Sequence, residues 1–128
     1  MSSQLTIAYL ITKAETACST ARLALNHGDA DGAINRAYYA MFNAARAALL
    51  KTGAPVDPSV IRTHSGLIGA FGLYVTRNNP ELSAMGRILN ITQEDRIEAD
   101  YKVSFFNPAD VEEIVEKAEN WVFAILDR

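Results

Sequence analysis

Helix punctuation constrains this 128-residue chain more than any other feature. Asn26-His27-Gly28 and Gly53 read as helix stops, and Asn79-Pro80 and Asn107-Pro108 read as helix starts. Between them apolar residues recur at helical spacing, clearest at Ile34, Tyr38, Met41, Phe42, Ala45 and Leu49. Alternating β-branched runs are nearly absent. The pattern predicts helices over about Leu5–His27, from an Asp29 or Asp31 cap to Lys51, Arg62–Asn78, Glu81–Tyr101 with a break near Asn90–Thr92, and Asn107–Leu126. The fold class is therefore all-α, an antiparallel bundle of four to five helices. Gly66, Gly69 and Gly72 weaken the third helix by roughly 1 kcal/mol each, a cost that makes sense where another helix approaches closely.

The length suits one domain over residues 1–128, with no repeat or linker. Nearly half the residues are hydrophobic and about a fifth charged, with net charge −3, so global charge gives no reason to expect sequence-independent binding to duplex nucleic acid. Twelve Lys and Arg can still gather locally. Cys18 is the sole cysteine, which excludes an internal disulfide and a cysteine-based zinc site and suits a small core residue. No His/Asp/Glu spacing resembles a metal site, and no cofactor motif is present. No apolar run reaches the roughly 18 residues of a membrane span. The N-terminus lacks signal-peptide features, so the expected location is the cytoplasm.

Two segments plant charge inside core-like helical sequence: Arg36-Ala37-Tyr38-Tyr39-Ala40-Met41-Phe42-Asn43-Ala44-Ala45-Arg46, and Arg96-Ile97-Glu98-Ala99-Asp100-Tyr101. A charge buried there without a partner costs several kcal/mol, so each implies a polar network or a site. On a helical wheel Arg36 and Asn43 lie about 20° apart with Tyr39 close to both, and Arg46 flanks Tyr39. An arginine, a phenol and an amide on one stripe can hold an anion such as phosphate. The structural alternative pairs Arg36 with Asp100 or Glu98. In the second segment Arg96 and Asp100 share a face as a weak i,i+4 pair. Tyr101 is about 140° from Arg96, so the two converge on one ligand where the helix ends, or where a second subunit completes the site. The structural alternative is a capping ion pair beside a half-buried tyrosine.

The histidines decide whether acid–base chemistry is available. His27 precedes Gly28 at a helix C-terminus and reads as a surface cap. His64, in Arg62-Thr63-His64-Ser65-Gly66, stands near a helix start. It suits either proton transfer or phosphate contact, or a plain N-terminal polar role.

Tyr38-Tyr39-Ala40-Met41-Phe42, Thr63-His64-Ser65-Gly66-Leu67 and Arg96-Ile97-Glu98-Ala99-Asp100-Tyr101, in that order, resemble the signatures of the HEPN (higher eukaryotes and prokaryotes nucleotide-binding) domain, in its small single-domain prokaryotic branch. The last segment is the most specific. The resemblance implies a helical bundle, often homodimeric, belonging to a toxin–antitoxin or defence system that acts with RNA or a nucleotide. It also implies a nucleotidyltransferase partner, for whose modification Tyr101 would be the candidate. Active HEPN members are metal-independent endoribonucleases in which four to six residues separate an arginine from a following histidine, two copies meeting at the dimer interface. Arginine stabilises charge developing on the phosphorane while histidine moves protons. Arg96 matches the motif arginine; Tyr101, Lys102 and Val103 stand where the histidine is expected, and Asn43 where related chains carry another. The resemblance thus casts Arg96, Tyr101 and His64 as catalytic candidates and Arg36, Tyr39, Asn43 and Asp100 as ligand-binding ones. Its alternatives are a non-catalytic module that binds or is modified by a partner, and a purely structural dimer.

Overall fold

A computed structural model describes residues 3–77, 79–102 and 105–127. Helix α1 (Ser3–Asn26) turns at Gly28, whose φ of +86° is open to glycine at no steric cost, and α2 (Ala30–Lys51) returns along it. Asp29 caps α2 by accepting from Gly32 N at 2.9 Å, while Asp31 sits in the first turn. Twelve of the 22 residues of α2 are buried, seven of them alanines. Small side chains let neighbouring backbones come close, and α1, α3, α4 and α5 all pack on α2. The bundle is all-α, as the sequence predicts.

Helix α3 (His64–Phe71) is shorter than the predicted Arg62–Asn78. A 3-10 turn over Val60–Arg62 precedes it, and a π-helical turn over Gly72–Thr76 follows. Asn78 lies outside the described residues. Thr63 caps α3, its hydroxyl accepting from Gly66 N at 3.1 Å. The expectation that three glycines mark a close helix crossing needs correction. A Cβ at Gly66 would stand 1.9 Å from the Val60 carbonyl oxygen, so the tight neighbour is the backbone of the preceding turn. At Gly69 and Gly72 a Cβ would meet nothing within 4 Å.

A 3-10 turn over Pro80–Leu82 leads into α4 (Met85–Tyr101), which runs unbroken through Asn90–Thr92. Thr92 is accommodated there because its hydroxyl donates to the Ile88 carbonyl at 2.9 Å. Helix α5 (Pro108–Leu126) starts on Asn107, which accepts from Ala109 N at 2.9 Å. Trp121 of α5 stacks on Phe71 at 5.6 Å and donates its indole N–H to the Met85 carbonyl at 3.0 Å, locking α5 to α3 and α4. Arg22 of α1 and Glu119 of α5 form a two-pronged ion pair. Among the described residues no helix is long and apolar enough to cross a membrane.

Candidate functional site

Where α4 crosses α2, Arg96 lies among three phenols. Its guanidinium carbon is 5.3 Å from the Tyr38 ring centroid, 5.7 Å from Tyr39 and 5.9 Å from Tyr101. Such distances allow cation–π attraction, which grows as water is excluded, and the Arg96 side chain is only 12% exposed. Its N–H groups are directed along its own helix. Nε and one terminal nitrogen donate to Gln93 Oε1 at 3.1 and 2.9 Å, and the other reaches Asp100 Oδ2 at 3.5 Å. Gln93 and Asp100, three and four residues away, share the Arg96 face.

The link to α2 runs through an amide. Asn35 donates to Asp100 Oδ2 at 3.0 Å, and Arg36 Nε donates to Asn35 Oδ1 at 2.9 Å. Arg36 therefore makes no direct ion pair with Asp100, the structural alternative read from the sequence. Instead its guanidinium carbon lies 5.2 Å from the Tyr39 centroid. Arg36 and Arg96 share one aromatic ring. Tyr101 ends α4, with Lys102 already in extended conformation. That ending leaves Tyr101 75% exposed yet beside Arg96.

His64 is joined to this cluster by Tyr38 rather than by direct contact with Arg96. The Tyr38 ring is 1% exposed, and its hydroxyl lies 2.9 Å from His64 Nδ1. His64 Nε2 lies 2.7 Å from Asn90 Oδ1. The tautomer with its proton on Nε2 satisfies all three groups: phenol to Nδ1, Nε2–H to the amide oxygen. Burial holds the Tyr38 hydroxyl well above the ordinary phenol range, with Arg96 opposing and Tyr39 adding to the shift. Tyr38 is thus a neutral donor. Both His64 nitrogens are engaged, so proton transfer by His64 would first require one of these bonds to open.

Asn43 lies elsewhere on α2, in a groove of about 500 Å³ between α1 and α2 that also takes Arg36, Tyr39, Phe42 and Arg46. The seven candidates therefore fall into two adjoining places. Arg96, Asp100 and Tyr101 stand on α4 against Arg36 and Tyr39, and the α1–α2 groove opens from Arg36 and Tyr39 towards Asn43. His64 backs the first of these through Tyr38. Sequence reasoning missed the connecting amides Asn35, Gln93 and Asn90, and it read Tyr38 as core alone. A tyrosine on the buried face was itself a signal, because a buried phenol needs a partner.

The HEPN domain profile matches residues 7–126. The chain belongs to the HEPN family. A candidate toxin of Methanocaldococcus jannaschii is 33% identical over 113 residues, 88% of this chain and 81% of that protein. A UPF0332 protein of Thermotoga maritima is 29% identical over 120 residues, covering 93% and 87% of the two chains. A UPF0332 protein of Pyrococcus horikoshii is 48% identical over a shorter stretch of 60 residues, 47% of this chain and 39% of that one. In this HEPN chain Arg96, expected from the sequence to match the motif arginine, lies against the rings of Tyr38, Tyr39 and Tyr101. Among the described residues, no three His, Cys, Asp or Glu side chains gather as a metal-binding group.

Proposed function

We propose that this HEPN chain is the toxin-type component of a prokaryotic toxin–antitoxin or defence system and engages RNA through the Arg96 surface, as a homodimer in the cytoplasm. One observation carries the reading: Arg36 and Arg96 lie against the same Tyr39 ring, beside the exposed Tyr101. Aromatic faces accept stacked bases while arginines hold the phosphates between them, a combination suited to single-stranded RNA. Similarity to a candidate toxin supports the biological setting.

In a cleavage step, the RNA 2′-oxygen bonds to the adjacent phosphorus, the 5′-oxygen leaves, and a proton moves from the first oxygen to the second. Arg96 is the cation available to stabilise the phosphorane. The proton carrier is harder to assign. His64 is bonded at both nitrogens, and Tyr101 stands in the motif position. The geometry therefore supports RNA binding more strongly than cleavage by a single chain, and a second copy meeting this face would supply the further groups.

A second reading rests on the exposure of Tyr101. An exposed phenol with a guanidinium 5.9 Å from its ring supports a role as acceptor of a nucleotidyl group from a partner nucleotidyltransferase. Its oxygen would bond to the α-phosphorus of a nucleoside triphosphate, releasing pyrophosphate and the phenolic proton.

The test compares wild type with Arg96→Ala on total RNA in a metal chelator, with RNA binding measured in parallel and folding checked by circular dichroism. Cleavage lost in the variant makes the chain a metal-independent nuclease. Binding lost in the variant without cleavage by either leaves the binding module. RNA binding absent from the wild type, or unchanged in Arg96→Ala, refutes the proposal.

A further inference from the structure

The α1–α2 groove has a lining whose charge opposes that of the whole chain. Among the described residues its charged side chains are Lys13, Arg36 and Arg46 and no carboxylate lines it, although the chain carries a net charge of −3. Thr12, Thr16 and Thr20, four residues apart on α1, place a row of hydroxyls along the same wall. Tyr39 and Phe42 add two aromatic rings from α2.

Arg46 is the least satisfied of these cations. Its guanidinium lies 5.8 Å from the Phe42 ring centroid, and its one hydrogen bond among the described residues runs to Asn43 Oδ1 at 3.5 Å. Its Nε is buried without a partner, unlike the Nε atoms of Arg36 and Arg96. Burial first, then the nearby Arg62, weaken its hold on its proton, and among the described residues no carboxylate forms an ion pair with it. By contrast Arg22, on the other side of α1, is fully paired with Glu119. A half-buried arginine kept without an acid partner is a cost to the fold, and an incoming anion would remove it.

We infer that this groove binds the phosphodiester backbone of a single RNA strand, anchored on Arg46 and Lys13 and continuous at Arg36 and Tyr39 with the Arg96 surface. Arg36 and Arg46 are ten residues apart on one helix, about 15 Å along its axis, too far for one isolated phosphate group but suited to two non-adjacent phosphates of one strand. Recognition at Arg46 would be independent of base identity, because its partners would be backbone oxygens. This inference rests on the RNA reading of the Arg96 surface and extends the strand's path beyond it.

The experiment is a fluorescence anisotropy titration of labelled single-stranded oligoribonucleotides of several sequences, at a series of salt concentrations. The proteins are wild type, Arg46→Met, Lys13→Gln and Arg96→Ala. Methionine keeps most of the Arg46 volume, and a thermal melt accompanies each variant. Arg46→Met is expected to weaken binding about tenfold for every sequence and to flatten the dependence of log K on log salt by about 0.7. Its melting temperature should equal or exceed that of wild type, since a half-buried cation with an unpartnered Nε has gone; a merely structural arginine would lower it. Adenosine monophosphate should displace the strand poorly. Wild-type affinity in Arg46→Met, or displacement by the mononucleotide at the strand's own affinity, overturns the strand site. Binding that depends on Arg96 but not on Arg46 removes this inference alone, whereas absence of RNA binding by the wild type removes it together with the function on which it rests.

Discussion

Tyr38→Phe tests the polar network behind the site with almost no change in shape. The ring is 1% exposed and would still pack against Tyr39 and Phe42, with centroids 5.1 and 5.8 Å away. Only the hydroxyl is lost, and with it the 2.9 Å bond to His64 Nδ1. A net hydrogen bond contributes about 1 kcal/mol, and an acceptor left unpaired adds about 1–3 kcal/mol when fully buried. His64 is half-buried, so water can partly replace the phenol. A loss of about 1–2 kcal/mol is therefore expected. With a urea slope of about 1–3 kcal/mol per molar, the unfolding midpoint should fall by roughly 1 M. A double-mutant cycle sharpens the test. His64→Ala alone should strand the buried phenol, but the same change in the Tyr38→Phe background should cost about 1 kcal/mol less. Strict additivity, or an unchanged midpoint in Tyr38→Phe, would refute the Tyr38–His64–Asn90 network.

Three further outcomes follow from local chemistry. Thr63→Ala should cost about 1 kcal/mol in urea unfolding by removing the α3 cap, whereas Thr63→Ser should keep most of it. Burial first, then Glu119 and Glu15, push the Cys18 thiol up to about 11, so Ellman's reagent at pH 8 should react slowly with the native chain and at the ordinary rate once it is unfolded. Rapid native reaction would contradict that environment. Burial, with Glu94 and Glu98 beside it and Lys117 opposing, raises the Asp95 carboxyl. The native state then holds more protons than the unfolded one between the ordinary value, about 3.9, and the raised value, so stability falls as pH climbs through that window. Asp95→Asn should accordingly melt higher than wild type at pH 7, with the gap closing at about pH 3; a gap that widens on acidification would be inconsistent with the shift.

The bundle was legible because its boundaries rest on local chemistry. Gly28 and Gly53 take positive φ at the ends of α1 and α2, and Asp29 and Asn107 cap helices as their residue types suggest. The errors came where local and tertiary preferences diverge. Asn90–Thr92 resembles a break by propensity, yet Thr92 bonds back to its own helix and Asn90 is held by His64. Periodicity could not separate the α-helical His64–Phe71 from the π-helical Gly72–Thr76, since both present apolar residues to the core. In the site, helical spacing was enough to group Arg96 with Asp100 and Arg36 with Tyr39. It could not show that Tyr39 joins the two groups, nor that Lys13 and the α1 threonines face Arg46, because both depend on how separate helices cross. The engagement of both His64 nitrogens likewise depends on α2 and α4, which meet it from different parts of the chain.

The most direct test of the account maps where RNA lies on this HEPN chain. A single-stranded oligoribonucleotide would be photo-crosslinked to the purified protein and the adducts located by mass spectrometry, with Arg96→Ala as the control. Adducts concentrated on the segments holding Tyr39 and Tyr101, and lost in Arg96→Ala, are the predicted result. Adducts centred instead on α5, or unchanged by the loss of Arg96, would contradict the claim that the arginine–tyrosine surface is the RNA site.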